Sequence, residues 1–181
     1  MAHDLEDVYE LAELVGFSHW GELNVASLDF RAEVRDMCAA DKCGKYGKSW
    51  SCPPYCGTLE EIAARASKYN CGVLLQTTGN MEDDFDYECI KETGALHKAH
   101  FADFLNWLKS LYPDNMPMDA GTCNVCKECT CPDAPCRFPD KAVSSMEACG
   151  LVVSDVCSAS GVSYYYGEKT ITYTSCVLFN Y

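Results

Sequence analysis

Basic residues are scarce in this chain: Lys and Arg together number 14 against 27 Asp and Glu in 181 residues, for a formal net charge of −13. A surface of that sign repels phosphate backbones and anionic lipids, which argues against nucleic acid or a membrane as a partner and against a nucleic-acid zinc finger. Long apolar runs are missing as well. Nowhere do 18 uninterrupted apolar residues occur, and the acidic segment Met1 to Glu13 shows no basic start followed by an apolar stretch. The expectation is therefore a soluble, cytoplasmic protein. Also absent are a Gly-rich phosphate loop, a Ser-His-Asp arrangement and an H-E-x-x-H helix, which removes the usual signatures of nucleotide binding, acyl transfer and zinc hydrolysis.

What the chain has in abundance is cysteine, 14 in all. Eight fall in two dense groups, Cys38, Cys43, Cys52, Cys56 and Cys123, Cys126, Cys129, Cys136. A reducing cytosol disfavours structural disulfides and turns dense cysteine patterns toward metal or redox chemistry. The second group reads C-x2-C-x2-C-x6-C, and its first three thiols follow the spacing by which ferredoxins hold an iron–sulfur cube. Zinc usually takes its ligands as two separated pairs, so structural zinc is the alternative here. Cys131-Pro132 mimics the Cys-Pro of ferredoxins, yet Cys131 lies close to Cys129 in sequence. Cys136 is the preferred fourth ligand, with Cys131 a free thiol or alternate. The first group, C-x4-C-x8-C-x3-C, has a less specific spacing. Cys38, Cys43 and Cys52 are its primary ligand candidates, Cys56 either supplies the fourth or stands near an open iron, and Pro53-Pro54 stiffens the loop.

Charge is unevenly placed. Residues 38–56 carry Lys42, Lys45 and Lys48 against Asp41 alone, whereas residues 123–141 balance three cations against three carboxylates. Cations beside an anionic cluster would offset its charge and help set its potential.

With 48% hydrophobic residues the chain can bury a core as one domain spanning residues 1–181, with metal loops at 38–56 and 123–136. Leu5, Val8, Leu11, Ala12 and Val15 recur at helical spacing between a possible Asp4 cap and Gly16. Residues 24–31 suit a strand. Thr58-x-x-Glu61 forms a capping box before Ile62, Ala63 and Ala66, and Cys71 to Thr78 follows as an apolar strand. Residues 84–112 predict a long helix ended by Pro113, with a short strand before the second loop. Ser144-x-x-Glu147 suggests a brief helix before Gly150, and Ile171 to Phe179 a closing strand. This alternation predicts an α/β or α+β domain, a mixed sheet with flanking helices from which two cysteine-rich metal-binding loops project. Cys71, Cys89, Cys149, Cys157 and Cys176 fall in helix or strand patterns and read as core. His97 and His100 share a helical face without an evident carboxylate partner. Tyr164, Tyr165 and Tyr166 suit core or edge-strand packing better than a partner surface.

Four stretches carry a family resemblance. They are Val34-Arg35-Asp36-Met37-Cys38-x4-Cys43-Gly44-Lys45-Tyr46-Gly47-Lys48-Ser49-Trp50-Ser51-Cys52-Pro53-Pro54, Ala120-Gly121-Thr122-Cys123-x2-Cys126-x2-Cys129, Pro135-Cys136-Arg137-Phe138-Pro139 and Ser145-Met146-Glu147-Ala148-Cys149-Gly150. Together they resemble the predicted metal-binding protein family catalogued as domain of unknown function 2284. The resemblance implies a cysteine-ligated metal or iron–sulfur protein, typical of anaerobic bacteria and archaea, with ligands at Cys38, Cys43, Cys52, Cys123, Cys126, Cys129 and Cys136. Against that resemblance, Cys56, Cys131 and Cys149 look like additions of this sequence. The resulting expectation is two [4Fe-4S] clusters and electron transfer with a redox partner protein. The alternatives are an enzyme with an open iron acting on a small substrate, and a structural zinc module for interaction.

Overall fold

The computed structural model describes residues 5–181. Its elements run α1 (Glu6–Val15), β1 (His19–Glu22), a 3-10 turn (Val25–Ser27), α2 (Ala32–Ala39), α3 (Leu59–Ala66), β2 (Cys71–Asn80), α4 (Tyr87–Leu111), β3 (Asn115–Met118), α5 (Val153–Ala159) and β4 (Thr170–Phe179). The four strands form one sheet in the order β1-β2-β4-β3. Every pairing in it is antiparallel. The α+β alternative is thus the one realised, and the mixed pairing expected from sequence does not occur. The reason lies in the connection through α4. It returns the chain so that β3 runs in the direction of β2, but two places away, and β4 fills the slot between them in the opposite direction.

The long pair β2·β4 is in register from Cys71 opposite Phe179 to Asn80 opposite Thr170. Because side chains alternate across a strand, this pair feeds two cores. Cys71, Val73, Leu75, Val177 and Phe179 face α1 and α4, where they meet Leu11, Phe101, Phe104 and Leu108. Leu74, Cys176 and Leu178 face the other way, against Ile62 and Ala66 of α3, Val156 and Cys157 of α5, and Met146. Each fully buried side chain of this size contributes roughly 1.5–3 kcal/mol, so two continuous apolar layers hold the sheet. The approach of α4 to β2 is close. A Cβ on Gly79 would collide with the Thr93 hydroxyl and crowd the Cys89 sulfur.

Helix ends follow their local chemistry. Gly16 closes α1 at φ 104°, a left-handed conformation that suits a residue without Cβ. The expected Asp4 cap lies outside the described residues. Thr58 and Glu61 form the expected capping box on α3, and Asp86 caps α4 by accepting from the Cys89 amide at 3.0 Å. Three local expectations change. Residues 24–31 contain a 3-10 turn rather than a strand, and the neighbouring strand lies earlier, at β1. The segment after Ser144 is a chain of turns in which the Ser145 hydroxyl, not that of Ser144, accepts the Ala148 amide at 3.0 Å. The helix in that region comes later, as α5.

A buried polar chain links α4 to the root of the second cysteine loop. The Ser175 hydroxyl donates to Asp119 Oδ1 at 3.0 Å, so it must accept at 2.6 Å from His97 Nε2–H, and His97 Nδ1 then accepts from the Thr77 hydroxyl at 3.0 Å. Lys98 donates to Asp119 Oδ2 at 2.7 Å. Burial pushes the His97 pKa down to about 3, so its ring is neutral. His97 is fully enclosed and committed to hydroxyls, while His100 stacks edge-on against Phe17. The two form a structural pair.

Candidate metal centre

The thiols of the first group hang from two different supports. Cys38 belongs to the last turn of α2, and Cys43, Cys52 and Cys56 follow in a turn-rich loop. Cys43 is exposed, Cys38 and Cys56 are half-buried, and Cys52 is buried. The second group projects from the segment after β3, with Cys123, Cys126, Cys129 and Cys136 half-buried and Cys131 buried. All fourteen cysteines are free thiols, so no disulfide competes for them.

The loops sit against each other. Trp50 Nε1 donates to the Ala134 carbonyl at 3.0 Å, the Cys131 thiol leans on the Gly47 carbonyl at 3.9 Å, and Ser49 and Ser51 share a buried hydroxyl contact of 3.0 Å. Cys52 lies in the seam, within electrostatic reach of Cys43 from its own group and Cys123 from the other. Burial opposes ionisation of Cys129, but hydrogen bonds from the backbone at Cys131 and Trp50, from the Ser49 hydroxyl and from the backbone at Thr130 outweigh it and lower its pKa. Ser49 and Trp50 are thus site residues that sequence reading missed. Both stand in a stretch that carries the family resemblance, but there only as neighbours of Cys52.

The first group behaves differently. Burial raises the pKa of Cys38, Cys52 and Cys56. Burial therefore disfavours their thiolates, and a bound cation would be needed to ionise them. Cys38 senses Cys43 and Cys52, whereas Cys56 senses Cys52 alone of its group and turns toward Ser144, the Ala148 carbonyl (3.7 Å) and Cys149. Arg35 of α2 is the fixed cation of this region. Its guanidinium donates to the Gly57 carbonyl at 3.0 Å and offsets part of the rise in pKa that burial imposes on Cys38, Cys56 and Cys149. Its Nε is buried and has no acceptor among the described residues.

Among the described residues, no three His, Cys, Asp or Glu side chains converge closely enough to hold a single metal ion. Arg35 Nε, a buried donor without an acceptor among the described residues, fits an anionic thiolate–metal group at the first loop. Core thiols stand apart from this. Burial pushes the Cys149 pKa up to about 12 and that of Cys157 up to about 11, and raises that of fully enclosed Cys176. Cys71 is likewise buried, and Cys89, half-buried at the start of α4, donates to the Asn80 carbonyl at 3.3 Å. The tyrosine run is loop, not strand: Tyr164 and Tyr165 are exposed, and Tyr166 stacks on His19 at 3.8 Å with its hydroxyl donating to Gln76.

Two thiol-rich loops on an α+β scaffold with helices on both faces of the sheet define a cysteine-rich metal-binding protein. The family model described as predicted metal-binding protein (DUF2284) matches residues 21–179, and the chain belongs to that family. No curated protein and no solved structure matches it. Among the described residues, no helix is long and apolar enough to cross a membrane.

Proposed function

We propose that the protein binds two [4Fe-4S] clusters, one per cysteine loop, and passes electrons to or from a partner redox enzyme in the cytoplasm. Cys123, Cys126, Cys129 and Cys136 would hold the second cluster, and Cys38, Cys43 and Cys52, with or without Cys56, the first. The observation that carries the reading is the apposition of the two loops through Trp50, Ser49 and Cys52. Bound clusters would supply one-electron chemistry. The chain supplies the rest. Donors around Cys129 stabilise the reduced, more negative state, Arg35 offsets charge at the first loop, and Trp50 fixes the spacing between loops. Anaerobic purification followed by iron, sulfide and zinc analysis tests it. About eight iron and eight sulfide per chain with broad visible absorption are expected. Stoichiometric zinc without sulfide would instead establish the structural zinc alternative.

The orientation of Cys56 favours a second reading, an enzyme whose first cluster keeps one exchangeable iron position for a small substrate. Cys56 points at Ser144 and Cys149 rather than at Cys38 and Cys43. If Cys56→Ser leaves iron content and spectra unchanged, the open-site enzyme reading gains over the carrier. Loss of iron would establish Cys56 as the fourth ligand.

A further inference from the structure

A cavity of about 620 Å³ opens at the β3 edge of the sheet, lined by residues of α3 from one face, of α4 from the other and of the segment 139–144. That size is typical of small-molecule sites. Its apolar wall is Ile62, Leu105, Met116 and Val143. Three cations also line it, Arg65, Lys109 and Lys141. None of the three has a carboxylate within ion-pair distance among the described residues, although the chain as a whole carries nearly twice as many acids as bases. Arg65 and Lys109 instead donate to backbone carbonyls, of Asn115 at 3.1 Å and Asp140 at 3.3 Å, and Lys141 lies 6.0 Å from the Phe138 ring centre. The cavity has two acids. Glu61 is occupied by the Thr58 amide at 2.8 Å in the capping box, and Asp140 sits beside Lys141 in the chain. Cys56 and Cys149 complete the wall, with Arg65 within electrostatic reach of Cys149.

We infer that this cavity binds a small organic carboxylate with an apolar body. The carboxylate is held by Arg65, Lys109 and Lys141, and the body lies against Ile62, Leu105 and Met116, with Cys56 and Cys149 forming the wall nearest the first metal loop. Three cations without a carboxylate in ion-pair range flank one partly apolar cavity in an acidic protein, and an anion with an apolar body matches both parts of the lining at once. The inference stands on the cavity itself and holds whichever metal the loops carry. Its failure is therefore separable from failure of the iron–sulfur reading, which iron and sulfide analysis of the same sample decides.

The test is calorimetric titration of the metal-loaded protein, prepared anaerobically, with benzoate, hexanoate, benzyl alcohol and inorganic phosphate. Saturable binding of benzoate or hexanoate is expected, with benzyl alcohol and phosphate each at least about tenfold weaker. Lys109→Gln combined with Lys141→Gln, both at exposed positions, should weaken carboxylate binding about tenfold or more while leaving the thermal midpoint and metal content unchanged. Arg65→Gln serves as a second variant, since it also loses the bond to Asn115. Absence of saturable carboxylate binding, equal binding of phosphate or benzyl alcohol, or undiminished binding by the lysine double variant would each overturn the proposal.

Discussion

Replacing Asp119 with alanine should destabilise the fold by about 3–5 kcal/mol, the range for removing one member of a buried ion pair. The Lys98–Asp119 pair is only 16% and 11% exposed at its side chains, with a 2.7 Å contact. Asp119 Oδ1 also accepts from the Ser175 hydroxyl at 3.0 Å and the Ala120 amide at 2.7 Å. The substitution therefore strands one ammonium and two neutral donors together, and the desolvation cost of each remains. Lys98→Met should cost less, roughly 1–3 kcal/mol, because Asp119 keeps its other two donors. The double variant should cost less than the sum of the singles, since the interaction is then already absent. Urea unfolding of the four proteins near neutral pH measures all of these. Because Asp119 lies four residues before Cys123, the same samples should show reduced metal occupancy in Asp119→Ala. A cost for Asp119→Ala below about 1 kcal/mol would refute the claim that this network anchors the second loop.

Two further outcomes are expected. His97 is held neutral in the fold with its pKa near 3, against an ordinary value of 6.5; the unfolded chain therefore takes up a proton below pH 6.5 that the folded chain refuses. Stability is fully present above 6.5 and falls by about 1.4 kcal/mol per pH unit between there and 3, and urea midpoints at pH 7.5 and 5.5 should converge less for wild type than for His97→Gln. Cys126→Ser and Cys129→Ser should each remove the second cluster's visible absorption and lower the thermal midpoint, because ligation and folding are coupled. Cys131→Ser should do neither, and bleaching by Cys131→Ser with Cys136→Ser intact would reassign the fourth ligand.

What was legible in the sequence follows from the range over which each signal acts. The capping box at Thr58 and the apolar run at the start of β2 are local signals, and both hold in the structure. Short elements escaped. β1 has four residues and α5 seven, too few to show a period, and the apolar residues of 24–31 mimic a strand while forming a turn before α2. The α2 helix matters because it carries Cys38, the residue at which the first metal loop, 38–56, had been expected to begin. The cysteine spacings named the thiols but not how the groups face each other. Trp50 and Ala134 meet across 84 positions of sequence, and no periodicity encodes a contact of that separation. The same holds for Cys56 and Cys149. Three residues from Cys52, Cys56 looks like a fourth ligand; folded, it faces a residue 93 positions away in the wall of a cavity that only the edge of the sheet creates. Sequence proximity therefore argues for Cys56 as a ligand of the first group, and tertiary placement argues against it. Placement is the stronger argument, because a ligand must point at its metal as well as lie near it.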